Sequence, residues 1–271
     1  MTLYLIGIGL SDKEDITVKG LLAVKSCDEI YLEQYTSTFS SSVEDLSEFY
    51  GKKVIVADRT LIESGADKEI IEKAKNKNIA VLIIGDVFSA TTHTDLMLRA
   101  RHAGVTIEYI PNASIFNVIG ITGLELYKFG KTTSITFPTG SFISETCYDI
   151  IKQNMAQGLH TLCLLDIKMA EPSPENLRKG IMIAEPPRFM TVKEAIKNLL
   201  SVENKRGENL INDNTKVVGC ARLGSKNFVV KYGNLGTIEK EDFGAPLHSL
   251  IIPGNTHFIE EEALALWKVN T

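Results

Sequence analysis

Runs of apolar residues alternate with amphipathic segments through the first 110 residues of the chain. The six consecutive apolar residues Ile79–Ile84 predict a strand covered on both faces, as in a parallel sheet flanked by helices. Strands that alternate with helical patterns are typical of βαβ units with right-handed crossovers. The predicted strands are Leu3–Ile8, Glu29–Leu32, Val54–Ala57, Ile79–Ile84 and Val105–Ile110, and the predicted helices are Thr17–Ser26, Val43–Tyr50, Asp67–Lys77 and Thr94–Ala103.

The regular alternation of apolar runs with amphipathic segments ends at about residue 111. Residues 111–114 have turn chemistry, and Ser114 is expected to cap a short helix. Later apolar runs, joined by short turns, predict a second sheet that is mixed and partly antiparallel. Its predicted strands are Thr132–Phe137, Thr161–Asp166, Lys216–Leu223, Asn227–Tyr232 and Leu247–Ile252, with helices at Glu145–Gln157 and Thr191–Val202. We therefore predict two α/β domains, residues 1–112 and 113–271, with a ligand cleft between them.

Composition and charge narrow the function classes. The chain has 271 residues and a formal net charge of −5, which argues against a domain that grips the nucleic-acid backbone. The four cysteines are far apart and form no CxxC pair, which favours reduced thiols over disulfides or zinc. No apolar stretch approaches the length needed to span a bilayer. These features predict a soluble, cytoplasmic protein that binds neither nucleic acid nor membrane.

A glycine-rich loop, residues 7–12, follows the first predicted strand. A dinucleotide-binding fingerprint needs a third glycine where Asp12 stands, and an acidic side chain there repels phosphate. This disfavours a nicotinamide-dependent dehydrogenase, and the chain contains no Walker pattern either. The loop is therefore either a purely structural turn or part of a site for a cofactor without phosphates.

A second loop follows the buried strand Ile79–Ile84. Ligands of parallel sheets bind just beyond the carboxyl ends of the strands. Gly85 permits a sharp turn, Asp86 supplies a charged acceptor, and residues 89–92 supply small hydroxyls and backbone amides. Asp86 is the candidate cofactor contact, and its alternative role is that of a turn former or helix cap. Because Asp86 lies at the end of a strand, we expect Asp86→Ala to weaken cofactor binding and leave the fold intact.

Seven segments of the chain are characteristic when taken together: LYLIGIGLSDKEDITVKGLLAV, EIYLEQYTS, GDVFSATTH, PNASIFNVIG, LCLLDIK, CARLGS and PLHSLIIPGNTHFIE. In these segments the chain resembles the diphthine synthases. That family belongs to the class III S-adenosylmethionine-dependent methyltransferases, which include the tetrapyrrole methylases. The resemblance runs in register over nearly the whole chain, and LCLLDIK and the chain length resemble the eukaryotic members.

The resemblance implies a tetrapyrrole methylase-like fold of two α/β domains, usually dimeric, with S-adenosylmethionine in the interdomain cleft and S-adenosylhomocysteine as the product. Val87 stands where eukaryotic relatives usually have proline, and Ser89 where they usually have glycine. The cofactor-lining positions that the resemblance implies are Leu10, Asp86, Ser89, Ser114, Ile115, Leu165, Leu223 and His248.

The resemblance also implies the reaction. The family's substrate is elongation factor 2 that carries a 3-amino-3-carboxypropyl group on one histidine. The amine is methylated to a trimethylammonium, and eukaryotic members add a methyl ester on the carboxylate, which predicts four transfers here and no metal. The alternatives are a tetrapyrrole-type methyltransferase of the same fold and a non-catalytic S-adenosylmethionine-binding scaffold.

Methyl transfer to an amine requires the neutral amine, so a general base or an open path for the proton is needed. His248, Glu33 and Asp86 are candidates that the sequence does not rank. For His248 the alternative is a structural role, since a lone histidine among apolar residues is more often structural. His93 lies in the ATTH segment and is expected near the cofactor. The other three histidines are expected to be structural, since their spacing suits no metal site.

Overall fold

The computed structural model describes residues 1–35, 37–89, 93–169, 180 and 185–269. Internal contacts divide the chain into two units, Met1–Val118 and Ile119–Thr271. None of the helices in these described ranges is both long enough and apolar enough to cross a membrane.

The first unit is built on a five-stranded sheet in which all neighbouring strands are parallel, in the order β3-β2-β4-β1-β5. The central strand β4 is buried at all five positions, as its unbroken apolar run predicts. The parallel arrangement confirms the predicted fold of this part of the chain. The strands are β1 (Thr2–Gly7), β2 (Glu29–Glu33), β3 (Val54–Ala57), β4 (Ile79–Ile83) and β5 (Thr106–Ile110).

The crossovers of this unit are mainly helical. The α-helices are Val18–Ser26, Val43–Tyr50, Glu72–Ala74, Thr94–His102 and Ile115–Val118, with a 3₁₀ turn at Lys13–Asp15.

One predicted helix of the first unit is wrong in detail. In place of an α-helix over Asp67–Lys77, the chain forms π-helical turns at Leu61–Gly65 and Asp67–Ile71, and only Glu72–Ala74 is α-helical. The residues buried at every fourth position in this segment are Ile62, Ala66, Ile70 and Ala74. A strict spacing of four drifts around an α-helix of 3.6 residues per turn, and wider turns with i→i+5 bonds reduce that drift.

The second unit contains a mixed five-stranded sheet, in the order β11-β10-β12-β7-β6. Only β6 and β7 are parallel, and the other neighbours are antiparallel. A two-residue antiparallel pair, β8 with β9, stands apart from it. The mixed sheet confirms the predicted fold class. The strands are β6 (Thr133–Ile135), β7 (Thr161–Leu165), β8 (Ile167–Lys168), β9 (Arg188–Phe189), β10 (Lys216–Ala221), β11 (Val229–Asn234) and β12 (His248–Ile252).

The helix Val192–Arg206 of the second unit begins with a capping box. Thr191 Oγ1 accepts from the Glu194 amide at 3.2 Å, and Glu194 Oε2 accepts from the Thr191 amide at 2.9 Å. This confirms the helix start that the Thr-x-x-Glu pattern predicts. The other α-helices among the described residues of this unit are Thr146–Ala156, Leu235–Ile238 and Phe258–Ala265, with 3₁₀ turns at Ile119–Thr122 and Leu126–Lys128.

Candidate functional site

The two glycine loops of the first unit are joined by backbone hydrogen bonds at the carboxyl edge of its sheet. The Gly85 amide donates to the Gly9 carbonyl at 2.7 Å, and the Gly9 amide donates back at 3.3 Å. Gly9 and Gly85 have φ values of +81° and +82°, which strongly favour glycine. A Cβ on Gly9 would lie 2.3 Å from the Cβ of Asp15. The loops after β1 and β4 therefore hold one another in place.

The amides of the first loop are occupied by a carboxylate of the protein. Asp15 Oδ2 accepts from the Leu10 amide at 3.1 Å and from the Ser11 amide at 2.7 Å. Asp12, to which the sequence draws attention, instead caps a short 3₁₀ turn through the Glu14 amide at 2.9 Å. In a dinucleotide site such amides face the pyrophosphate. This loop presents negative charge there, so it suits a ligand without phosphates.

Asp86 joins three segments of the first unit. Its side chain is only 6% exposed. Oδ1 accepts from the Phe88 amide and the Ser89 hydroxyl, both at 3.0 Å, and Oδ2 accepts from the Tyr109 hydroxyl at 2.5 Å and the Asn112 amide at 3.2 Å. Burial raises the pKa of this carboxyl, but the hydrogen bonds, led by that of Tyr109, outweigh burial and lower the pKa overall.

This geometry corrects one expectation drawn from the sequence. Asp86 has the turn-forming role that the sequence offered as the alternative to cofactor contact. Its carboxylate is buried and accepts four hydrogen bonds. Removal of its carboxylate would leave donors on two neighbouring segments without an acceptor, so Asp86→Ala should destabilise the first unit. A turn-forming role and a contribution to ligand binding are compatible, because the negative charge of the carboxylate attracts a nearby cation without a further hydrogen bond.

Asn112 fixes the third loop, which follows β5. Its Nδ2 donates to the Gly7 carbonyl at 2.9 Å and to the Asp15 carbonyl at 3.0 Å. Sequence reasoning identified this segment as a turn but missed Asn112 as the connection to the first loop. Ser114 Oγ accepts from the Phe116 amide at 3.2 Å, which is the predicted helix cap.

Five of the predicted cofactor residues therefore lie at one edge of the first sheet, four on its loops and one at the start of the helix Ile115–Val118. Leu10 approaches Gly85, since its Cδ2 is 3.6 Å from the place of a Cβ on that residue. Residues 90–92, which were also expected to offer amides, lie outside the described residues. The five predicted residues are Leu10, Asp86, Ser89, Ser114 and Ile115.

The other three predicted cofactor residues lie together at one edge of the second sheet. His248 begins β12 and pairs with Ala221 of β10, and the next residue of β12 pairs with Leu164 of β7. Leu165 ends β7, and Leu223 follows β10 by two residues. Both leucines are largely buried. The antiparallel pairing thus brings three sequence-distant positions to one edge.

Both ring nitrogens of His248 are engaged within its own unit. Nδ1 accepts from the Val192 amide at 3.4 Å, so Nε2 carries the proton and donates to the Gly244 and Ala245 carbonyls, each at 3.1 Å. Burial lowers the pKa of His248, although those carbonyls act in the opposite direction. A neutral ring with both nitrogens bonded is suited to positioning neighbouring groups.

Arg222 supports this edge of the second sheet, and sequence reasoning missed it. It adopts φ of +51°, an uncommon conformation for a residue with a side chain. Its guanidinium donates to the Phe243 carbonyl at 2.8 Å, to the Asn227 carbonyl at 3.0 and 3.1 Å, and to the Ala245 carbonyl. These bonds hold the unusual backbone immediately before Leu223.

A buried acid–histidine pair, Glu33 with His93, lies in the first unit. Glu33 ends β2 and is 0% exposed, and His93 directly precedes the helix Thr94–His102 and is 2% exposed. His93 Nε2 lies 3.7 Å from Glu33 Oε2. Within the described part of the chain, neither ring nitrogen of His93 has a hydrogen-bond partner. Burial lowers the pKa of His93, and the charge of Glu33 only partly offsets this.

The remaining histidines have structural surroundings. His160 is buried, bonded to Glu260 Oε1 at 2.8 Å and accepting from the Gly254 amide at 2.9 Å. His257 caps the final helix, and His102 is exposed at a helix end. In the described ranges, no group of three or more His, Cys, Asp or Glu side chains lies close enough to hold a metal ion.

Comparison with known proteins places this geometry in context. Residues 2–239 match the family model of the tetrapyrrole (corrin/porphyrin) methylases. The diphthine methyl ester synthase of Homo sapiens is 48% identical over 98% of this chain and 95% of its own, and that of Dictyostelium discoideum is 46% identical over 99% of both. A crystal structure from Entamoeba histolytica that carries the name diphthine synthase has a TM-score of 0.88 and 42% identity, and the match covers 100% of this chain and 99% of the other.

Proposed function

The chain belongs to the tetrapyrrole methylase family and to its diphthine synthase branch, which makes it a methyltransferase of diphthamide biosynthesis, and we propose its substrate and its product. The proposed substrate is elongation factor 2 with a 3-amino-3-carboxypropyl group on one histidine. Three methyl groups go to the amine and a fourth to the carboxylate. The observation that carries this proposal is the full-length match to relatives named as diphthine methyl ester synthases.

We propose S-adenosylmethionine as the methyl donor. When bound, it supplies an activated methyl group on a sulfonium. In the first unit, Leu10, Ser114 and Ile115 would line its site beside Asp86 and Ser89, and in the second unit Leu165, Leu223 and His248 would contribute. The occupied amides of the first loop support this choice, since they disfavour a phosphate-bearing cofactor. The apolar Ile115, Leu165 and Leu223 suit the face of an adenine.

Asp86 and Asp15 of the first unit favour a cationic ligand without themselves reacting. Hydrogen bonds keep Asp86 ionised, and Asp15 adds a second carboxylate in the adjoining loop. Charge disperses in methyl transfer from a sulfonium to a neutral amine, so the protein acts mainly by alignment and exclusion of water. Alignment of this kind contributes roughly 7–11 kcal/mol in favourable cases.

The activity is tested with elongation factor 2 purified from cells that lack this gene. The protein is incubated with it and S-adenosylmethionine, and the target histidine peptide is weighed by mass spectrometry before and after mild base. We expect four added methyl groups, of which mild base removes one. Three methyl groups, all stable to base, would contradict the ester step. Absence of methylation, or a coloured tetrapyrrole that co-purifies and is methylated, would contradict the proposed substrate.

We also propose that the protein is a homodimer, on the strength of an exposed apolar surface in the second unit. The segment Ile119–Lys128 packs on the final helix, since a Cβ on Gly123 would lie 2.1 Å from that of Ala263. Large apolar side chains project from both segments, including Tyr127, 81% exposed, and Phe258, 67% exposed. A surface of this kind is typical of an interface. Sedimentation should show a dimer that Tyr127→Asp weakens and that Leu98→Asp, an exposed change in the other unit, leaves intact.

The cytoplasm is the location that we propose. Its support is the state of the cysteines: Cys27, Cys147, Cys163 and Cys220 are all free and buried. Unpaired thiols of this kind are typical of reducing compartments.

A further inference from the structure

In the buried pair of Glu33 and His93, Glu33 Oε1 accepts from the Tyr35 amide at 2.8 Å, whereas the His93 ring has no comparable bond within the described ranges. Buried polar groups nearly always have hydrogen-bond partners. The His93 ring lacks one at both nitrogens among the described residues, and an apolar side chain of similar size would pack there without that penalty. A residue that lowers the stability of the fold at its position is often kept there because it is functional. The pair lies at the end of β2 and just after the loop of Asp86, on the ligand-binding edge of a parallel sheet.

The other two candidate bases are poorly suited to accept a proton. Asp86 is held ionised by four donors, which lower its pKa and would oppose its protonation. His248 uses Nδ1 as an acceptor and Nε2 as a donor inside its own unit. By contrast, the buried ring of His93 is neutral near pH 7 because its pKa is lowered, and it keeps an available lone pair. Glu33 lies 3.7 Å away, where it would stabilise the imidazolium.

The amine steps and the ester step of the proposed reaction differ in whether a proton is released. In each amine step a nitrogen–carbon bond forms, the sulfur–carbon bond of the donor breaks with its electron pair left on sulfur, and one proton leaves the nitrogen. In the ester step the carboxylate oxygen takes the methyl group, and no proton is released. Three transfers therefore need a proton acceptor, and the fourth does not.

We propose that the Glu33–His93 pair takes up the proton that leaves the acceptor amine in each N-methyl transfer, and later returns it to water. This rests on the proposed function. The ionisable side chains near Glu33 include Tyr35 and Arg59, and neither is suited to accept this proton. Tyr35 stays protonated, because burial and the charge of Glu33 raise its pKa to about 12. Arg59 lies over the Tyr35 ring at 5.3 Å and pairs with Glu63 at 3.9 Å.

The test compares two forms of elongation factor 2 as methyl acceptors. The first, from cells lacking the gene, offers the amine. The second is fully methylated by the wild-type protein, treated with mild base and neutralised, so it offers only the carboxylate. Single-turnover rates are measured by mass spectrometry across the pH range in which histidine titrates. Glu33→Gln and His93→Asn should slow amine methylation roughly 100-fold. The deficit should shrink as pH rises and the amine loses its proton unaided.

The ester rate of the same variants is the internal control and should be unchanged. Matched controls are Glu63→Gln, an exposed acid in the same unit, and His102→Asn, an exposed histidine on the helix that follows His93. Neither should affect either rate. His93→Leu should lose amine methylation but melt at the same temperature as the wild type or higher, which a purely structural histidine would not do.

Two results would overturn the inference. Equal loss on both acceptors would assign the pair a structural role, and normal amine methylation by both Glu33→Gln and His93→Asn would show that the proton goes elsewhere. Failure of the proposed function is distinguishable from these, because the wild-type protein itself would then methylate neither acceptor.

Discussion

Substitution of Asp86 tests whether one carboxylate both organises the loops of the first unit and contributes to cofactor binding. Asp86→Ala removes the acceptor for four donors. The Ser89 and Tyr109 hydroxyls can turn to water, since Tyr109 is 39% exposed. The Phe88 and Asn112 amides belong to the backbone and cannot turn away.

The expected loss of stability follows from those two amides. A hydrogen bond to a charged acceptor contributes about 1.5–3 kcal/mol. With partial replacement by water, we expect Asp86→Ala to lower the free energy of unfolding of the first unit by about 3 kcal/mol. Asp86→Asn keeps one acceptor oxygen but turns an NH₂ toward donors, and we expect a loss of about 1–2 kcal/mol. Tyr109→Phe removes a single hydrogen bond, and it should lower the free energy of unfolding by no more than Asp86→Asn does.

Hydrogen exchange followed by mass spectrometry measures this effect locally, at the amides of Phe88 and Asn112. Urea unfolding measures the total change in the free energy of unfolding. Calorimetric titration with S-adenosylmethionine should show at least a tenfold weaker affinity for Asp86→Ala, about 1.4 kcal/mol. Asp95→Ala is the matched control, because Asp95 is 69% exposed in its pair with Arg99 and such pairs contribute little.

Two results would refute this reasoning separately. An unfolding free energy of Asp86→Ala within about 0.5 kcal/mol of the wild type, the usual range for surface changes, would show that the hydrogen bonds contribute nothing net. A stable variant with unchanged affinity for S-adenosylmethionine would remove Asp86 from the cofactor residues.

Three further predictions concern other parts of the fold. Gly9→Ala places a Cβ 2.3 Å from that of Asp15 at a φ of +81°, so it should abolish S-adenosylmethionine binding in calorimetry, whereas Gly65→Ala, with no contact closer than 3.7 Å, should not. Glu260→Ala removes the buried acceptor of the Glu125 and His257 amides and of the His160 ring, and should cost about 3–5 kcal/mol in urea unfolding. Burial raises the pKa of Glu260, but hydrogen bonds led by that of Lys128 lower it from 4.5 to about 2. Its stabilisation is therefore complete above pH 4.5 and lost as pH falls toward 2, and acid titration of Glu260→Gln should lack that part of the decline.

The local pattern of apolar and polar residues was sufficient to predict the strands of both five-stranded sheets. An unbroken apolar run predicts a strand covered on both faces, and β4 is buried throughout. Val43–Tyr50 and Val54–Ala57 have the predicted bounds. The Thr191 capping box was also predictable, because its partners are three residues apart. The exception is the segment around Asp67, where burial at every fourth residue favours π-helical turns over the α-helix that propensity predicts.

The amino-acid sequence by itself determined the strands, the glycine loops and, through its motifs, the family. Only the tertiary structure decided which side chains meet: Asp86 accepts from Tyr109 and Asn112, 23 and 26 residues away, and Glu33 of β2 lies beside His93. Periodicity records which face of an element is buried, whereas such contacts depend on the order of strands in the sheet, to which distant residues contribute. That is why the pattern located the loops but did not rank the candidate bases within them.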